Sequence, residues 1–272
     1  MIAIINRINN NKLYYFENFF LLSIIIGPFF LPFSRFFSDF FISLSGLLFL
    51  FITIIKNDYK IFLRKYAIIL YCWYLYLLFI SFISYDTLLS LQSTLFYFRF
   101  IIFSFAIIYC LKNYMNFSKL FLISLSLSTI ILLIDSYIQL LFGYNIIGYK
   151  YDNNWNRLSS FFKEDYILGS YLSRIIPLVL GLLFLSKVKN KLNYIIISLF
   201  LILTFIIILF SGDRSGLLYF IIFLVFFIFL LNLKISYKLL FFLTFFSLFL
   251  LIIFNNNSIY KRMVEYTQSQ IF

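Results

Sequence analysis

Apolar runs of 15 or more residues recur along the whole length of the sequence, separated by short polar breaks. A run of that kind is what a helix needs to cross a bilayer, where every backbone N–H and C=O has to be bonded within its own segment. The composition fits that reading: 64% of the residues are hydrophobic and 12% charged, against roughly 25% charged in ordinary soluble domains. Strands of a membrane barrel would alternate apolar and polar residues instead of running continuously apolar. The expected fold is therefore all-α, a polytopic transmembrane helix bundle. About nine spans are expected, at residues 19–33, 36–55, 66–84, 95–111, 120–142, 166–186, 192–210, 217–231 and 239–254, in one transmembrane domain over 1–272. Pro28 and Pro32 should kink or tilt the first span.

The net charge is +12, from 22 Lys and Arg against 10 Asp and Glu. In a soluble protein that excess would suggest nucleic acid. Here most basic residues stand in short loops between spans, where positive charge sets orientation, and no nucleic-acid partner is expected. Placing the N-terminus in the cytoplasm puts the majority of Lys and Arg on the cytoplasmic side. Arg35, Lys150, Arg157, Lys163, Arg214, Lys261 and Arg262 fall on the opposite face, and Arg99 and Arg174 lie inside spans. The sequence has no histidine and only two cysteines, Cys72 and Cys110, both in or at the end of spans. Those facts point away from a disulfide framework and from His-based metal or acid–base chemistry. No metal or cofactor is expected. Aromatic residues make up 24% of the chain, as the codon usage of an AT-rich genome would produce, so aromatic clusters say little about function.

Two polar islands break the pattern on the non-cytoplasmic face. The first runs through an outer loop at 143–165 and into the next span; the second is Ser211-Gly-Asp-Arg-Ser-Gly216. Orientation gives no reason for cations on that face, and an anionic ligand is the simplest one. Arg157 offers a planar fork of donors suited to phosphate, or is merely a solvated loop cation. Arg214 sits in a Gly-flanked turn whose amides, with Ser211 and Ser215, could cradle an anion; the plainer reading is a hairpin turn with an internal Asp213–Arg214 arrangement. Arg174 and Arg99 are costly inside spans unless paired, lining a polar cavity or snorkelling to the interface. Asp135 and Gln139 share one face of a span, and Asp135 could pair with Arg99 or Arg174, structurally or as a functional carboxylate. Glu164 and Asp165 suit the start of the following helix.

Three strings in order, IDSYIQLLFGYNIIGY (134–149), RLSSFFKEDYILGSYLSRIIPLVL (157–180) and LFSGDRSGLLYF (209–220), with YFRF at 97–100, resemble the O-antigen ligase and O-antigen polymerase superfamily of bacterial membrane glycosyltransferases. The resemblance covers roughly residues 95–220. It implies a GT-C-like, multi-pass protein of the bacterial inner membrane, acting in lipopolysaccharide or related envelope polysaccharide biosynthesis. Such a protein transfers a glycan from undecaprenyl diphosphate to an acceptor at the periplasmic face. The acceptor is lipid A core for a ligase, or a second lipid-linked glycan for a polymerase. The chemistry implied is metal-independent and inverting. Arg157 and Arg214 fall on the positions of family arginines that grip the diphosphate; Arg174, Arg99, Asp135 and Gln139 join them as expected substrate-binding residues.

The family places a histidine near the acceptor on a later large periplasmic loop, and this sequence has none. No catalytic residue is therefore assigned. The chain is expected to be the N-terminal portion of a longer protein, with 255–272 opening that larger loop. The alternatives are a transporter or flippase for an anionic lipid-linked glycan, or a membrane protein that binds such a glycan without turning it over. A transporter would need a polar path across the bilayer, and Arg99, Asp135 and Arg174 are the plausible lining charges. The 272-residue chain alone is predicted to give little or no glycan transfer from a polyprenyl-diphosphate donor in a reconstituted assay. Detectable transfer product would contradict that expectation.

Overall fold

The computed structural model describes residues 2–151, 157–163, 165–185, 191–231, 234–265 and 268–269. Glu164, the centre of the outer loop (152–156) and the last residues of the expected C-terminal loop lie outside them. Apart from an isolated bridge between Tyr144 and Lys150, the described residues are helices and turns. The chain divides into two compact units, Met1–Ser124 and Leu125–Phe272.

The first unit contains α1 (Ile2–Phe29), α2 (Arg35–Lys56), α3 (Lys65–Ile83), α4 (Thr87–Phe96) and α5 (Phe98–Asn113). Pro28 stands at the end of α1, and Ser34 caps α2 by accepting from the Phe37 amide. The two helices form an antiparallel hairpin: Phe20 stacks on Phe49, and Glu17 bonds Lys56 at 2.5 Å. α2 and α5 run side by side in the same direction, joined by Arg99–Asp39 near their starts and Lys56–Tyr109 near their ends. Phe20, Ile24, Phe49, Ile52, Phe105 and Tyr109 fill the space between them.

The helix α6 (Phe117–Phe142) carries the division between the units. In the second unit its C-terminal half is followed by α7 (Leu168–Leu185), α8 (Lys191–Ser211), α9 (Arg214–Leu230), α10 (Ile235–Asn255) and α11 (Asn257–Tyr260). α7 and α9 lie parallel, paired along their length by Gly169–Gly216, Arg174–Tyr219 and Phe184–Phe227. The pair meets backbone to backbone at its start. A Cβ on Gly216 would fall 2.5 Å from the Gly169 carbonyl carbon and 2.6 Å from the Ser170 nitrogen. Close approach through small residues is how helices gain packing energy where lipid is as apolar as their side chains. Phe205 of α8 packs its ring against Phe220 of α9 and Phe245 of α10 to complete the core.

Five helical stretches are long and apolar enough to cross a membrane: Arg35–Lys56, Lys65–Ile83, Thr87–Asn113, Phe117–Phe142 and Ile235–Asn255. Four shorter apolar helices accompany them, at Tyr14–Phe29, Leu168–Phe184, Ile195–Ser211 and Arg214–Leu230. α3 and α10 are apolar on all sides yet bury few residues, leaving side chains such as Phe79, Phe82, Phe242 and Phe246 exposed. Water would oppose such a surface; lipid accepts it. Hydroxyl groups within the helices are satisfied locally: Ser45, Thr53, Ser104, Thr129 and Thr204 each donate to a carbonyl three or four residues back. That is why so many Ser and Thr sit in apolar helices at little cost.

Two boundaries differ from expectation. Helix α1 begins at Ile2, well before the apolar run, and ends at Phe29 because Pro28, Pro32 and the turn around Phe30–Phe33 stop it. The segment before residue 95, expected as a loop, is the helix α4, its Ser81–Thr94 hydroxyl contact tying it to α3. Its Leu88, Leu89, Leu91 and Leu95 supply the helical apolar spacing that its Ser, Thr and Gln residues obscure.

Replacing Gly216 by Ala should push α7 and α9 apart. The expected cost is about 1–3 kcal/mol, the usual range for overpacking. It should register as a lowered thermal midpoint in detergent, whereas Gly181→Ala, which meets nothing within 4 Å, should leave the midpoint in place.

Candidate functional site

The polar end of the second unit is built outward from α6. Asp135 and Gln139, one turn apart, are both fully buried. The Gln139 Oε1 accepts from the amides of Ser159 (3.2 Å) and Ser160 (2.7 Å), and its Nε2 donates to the carbonyls of Tyr149 and Lys150. The Asp135 carboxylate accepts from the Ile146 amide at 2.9 Å, from Asn145 Nδ2 at 3.3 Å and from the Ser160 hydroxyl. Asn145 in turn binds the Ser160 carbonyl and the Tyr149 amide. These two side chains peg both flanks of the outer loop to the end of α6. The ion pair that the sequence left open for Asp135 is not what holds it: among the described residues its partners are an amide N–H, an Asn and a Ser. Arg99 belongs to the first unit and bonds Asp39 at 2.9 Å, while Arg174 is exposed and lies over the Tyr219 ring at 6.0 Å.

The loop then reaches the second island. The Leu158 amide donates to the Phe210 carbonyl at 3.3 Å. Arg157 donates through Nε to the Ser211 carbonyl (3.1 Å) and through Nη2 to the carbonyls of Gly212 and Tyr166 (3.4 Å each), with its guanidinium over the Tyr166 ring. Ser211 and Gly212 end α8, where unbonded carbonyls accumulate negative partial charge and a cation is favoured. Arg157 is thus a cap for α8 as well as a candidate ligand contact. Gly212 adopts φ +66°, and a Cβ there would collide with the Arg262 guanidinium. Arg262, from the C-terminal helical turn, therefore lies across the same peptide.

Asp213 closes the arrangement. Its carboxylate accepts from the Gly216 amide (3.2 Å) and the Ser215 hydroxyl (2.8 Å), capping α9. It also accepts from the Ser170 amide (2.8 Å) and the Ser170 hydroxyl, at the first turn of α7. One carboxylate caps two parallel helices. Burial alone would push its pKa up; the bonds from Ser170, Gly216 and Ser215 outweigh that and hold it below the ordinary 3.8. The cradle expected in this turn is filled by the protein's own Asp213, and Ser211 is occupied too, donating to the Ile208 carbonyl. Arg214 follows, half-buried, as the first residue of α9.

Beside this knot opens a cleft of about 570 Å³ lined by Tyr149, Lys150, Ser159, Phe162, Lys163, Asp165 and Tyr166. Tyr166 is shared between the cleft wall and the Arg157 stack, and Lys163 Nζ lies 5.4 Å above the Tyr149 ring. Cationic nitrogens beside aromatic faces suit a ligand that combines anionic oxygens with ring C–H surfaces. The structure thus brings Arg157, Arg214, Asp135, Gln139 and, further along α7, Arg174 into one unit, and leaves Arg99 in the other. Arg262 was missed; the only sequence signal was the Lys261-Arg262 pair, read merely as tail charge. No protein-family model, curated protein or solved structure matches the chain.

Because the Asp213 pKa is lowered on folding, its contribution is fully present above the ordinary carboxylate value and is lost as pH falls through the folded value. Asp213→Ala should cost about 1–3 kcal/mol at neutral pH, from two lost caps. Thermal unfolding at stepped pH should show the gap to wild type closing in the acid range; a pH-independent gap would contradict the assignment.

Proposed function

We propose that the polar end of the second unit binds the diphosphate and first sugars of an undecaprenyl-diphosphate-linked glycan, as an O-antigen ligase-like glycosyltransferase would at the periplasmic face of the bacterial inner membrane. The observation that carries this is the convergence of Arg157, Arg214 and Arg262 around the Ser211–Gly216 turn, next to an aromatic, cationic cleft. Arginine forks match phosphate oxygens, and cations fixed before the reaction stabilise charge that develops on a departing diphosphate. Tyr149, Phe162 and Tyr166 offer faces for sugar rings, and Lys150 and Lys163 draw in the anion.

In the transfer itself, the bond between the anomeric carbon and the diphosphate oxygen breaks. A bond to an acceptor hydroxyl forms, on lipid A core or a second lipid-linked glycan, and that hydroxyl's proton passes to a base. The residues named here carry the donor-binding half; none of them is assigned as the base. The same proposal takes the five long and four shorter apolar helices as nine crossings with the N-terminus cytoplasmic, which places the islands outside.

Binding of undecaprenyl diphosphate to the purified protein in detergent tests the reading. Arg157→Ala and Arg214→Gln should each weaken it about tenfold or more, the loss of one charge-assisted contact, and undecaprenyl monophosphate should bind less tightly than the diphosphate. No binding by wild type, or variants that bind equally well while keeping their thermal midpoint, would remove the proposal.

A further inference from the structure

The first unit holds a second polar feature that the glycan reading does not use. Asp39, in the second turn of α2, and Arg99, at the start of α5, form an ion pair at 2.9 Å, with the Arg99 side chain 32% exposed. The guanidinium stacks on the Phe100 ring, 4.9 Å from its centroid. Its Nη2 is committed to Asp39, but its Nε is buried and has no acceptor. A buried N–H with no partner costs free energy, and such groups normally find one. Arg99 faces a cleft of about 340 Å³ whose other walls are apolar: Leu47, Leu95, Phe96, Phe98 and Ile102, with Ser43 at its side. Gly46 keeps it open, since even a Cβ there would press on Ile102 at 3.3 Å.

We infer that this cleft is a phospholipid site, in which a phosphodiester oxygen of a glycerophospholipid accepts from Arg99 Nε and one acyl chain lies along Leu47 and Ile102. Three observations define the ligand. The vacancy is for one acceptor oxygen. The walls are hydrocarbon. The pair stands near the starts of two long apolar helices, the depth at which lipid phosphates sit. Because Asp39 already neutralises Arg99, the site reads the phosphate and not the net charge of the headgroup. Phosphatidylethanolamine and phosphatidylglycerol should therefore bind alike, and diacylglycerol, with no phosphate, should not.

Native mass spectrometry of the full chain, released from detergent after equilibration with each lipid, tests this. Wild type should retain one phosphatidylethanolamine or phosphatidylglycerol with similar occupancy and little diacylglycerol. Arg99→Gln should lower phospholipid occupancy about tenfold, as expected for one charge-assisted bond. Leu47→Trp, which fills the cleft from an exposed position and leaves the ion pair intact, should do the same. Asp39→Asn should turn the site into one that prefers phosphatidylglycerol. Equal retention of diacylglycerol, or phospholipid retention unchanged in both Arg99→Gln and Leu47→Trp, would overturn the inference.

Discussion

Helix ends in an apolar medium leave N–H and C=O groups that neither lipid nor the helix can bond, and the polar end of the second unit is organised around that shortage. Asp213 answers it for two helices at once, accepting from the first turn of α7 and the first turn of α9. That shared carboxylate, with the Gly169–Gly216 contact beside it, sets α7 and α9 parallel and in register. Arg157 answers the opposite shortage at the end of α8, where the Ser211 and Gly212 carbonyls have no helical partners. Asp135 and Gln139 do the same for the loop that crosses the end of α6. The charges that make the two islands conspicuous in the sequence are thus first of all caps.

That double use bears on function. A guanidinium already held by carbonyls is fixed in place before any ligand arrives, so it costs little further ordering on binding. It is also less available than a solvent-held cation. The proposed donor site therefore rests on the whole cluster, Arg157 with Arg214, Arg262 and the lysines of the cleft, and not on one residue. The first unit repeats the pattern at the two ends of α2: Asp39 with Arg99, and Lys56 with Glu17, Tyr109 and Tyr114. Each charge within or beside an apolar helix has a partner there, as the expense of isolated charge in hydrocarbon requires.

The helices were legible because their apolar runs are long and unambiguous; α2, α3 and α10 fall within a residue or a few of the expected bounds. The break at Tyr97 and the helix α4 were not, since Ser, Thr and Gln disguised the leucine spacing. The meeting of the islands was legible in outline, from arginines placed where orientation does not call for them. Its bonding was not. Ser170 and Asp213, or Arg157 and Ser211, are separated by more than forty residues, and composition does not pair residues at that distance. The Arg99–Asp39 pair was hidden for the same reason: Asp39 reads as an ordinary interfacial acid in its span. Arg262 was hidden because Gly212 looks like any turn glycine until the side chain lying across it is known.

The central claim is that the loop at 157–160 is seated on the Ser211–Gly216 turn. Cysteine pairs introduced into membranes test it directly, in a chain freed of Cys72 and Cys110. A short bifunctional thiol reagent should join Leu158→Cys to Ser211→Cys. Phe184→Cys with Phe227→Cys, from rings 5.7 Å apart on α7 and α9, serves as the packing control. Cross-linking of both pairs is the predicted result. A control that cross-links while the 158–211 pair does not would mean that the islands stand apart, and the single polar site would be wrong.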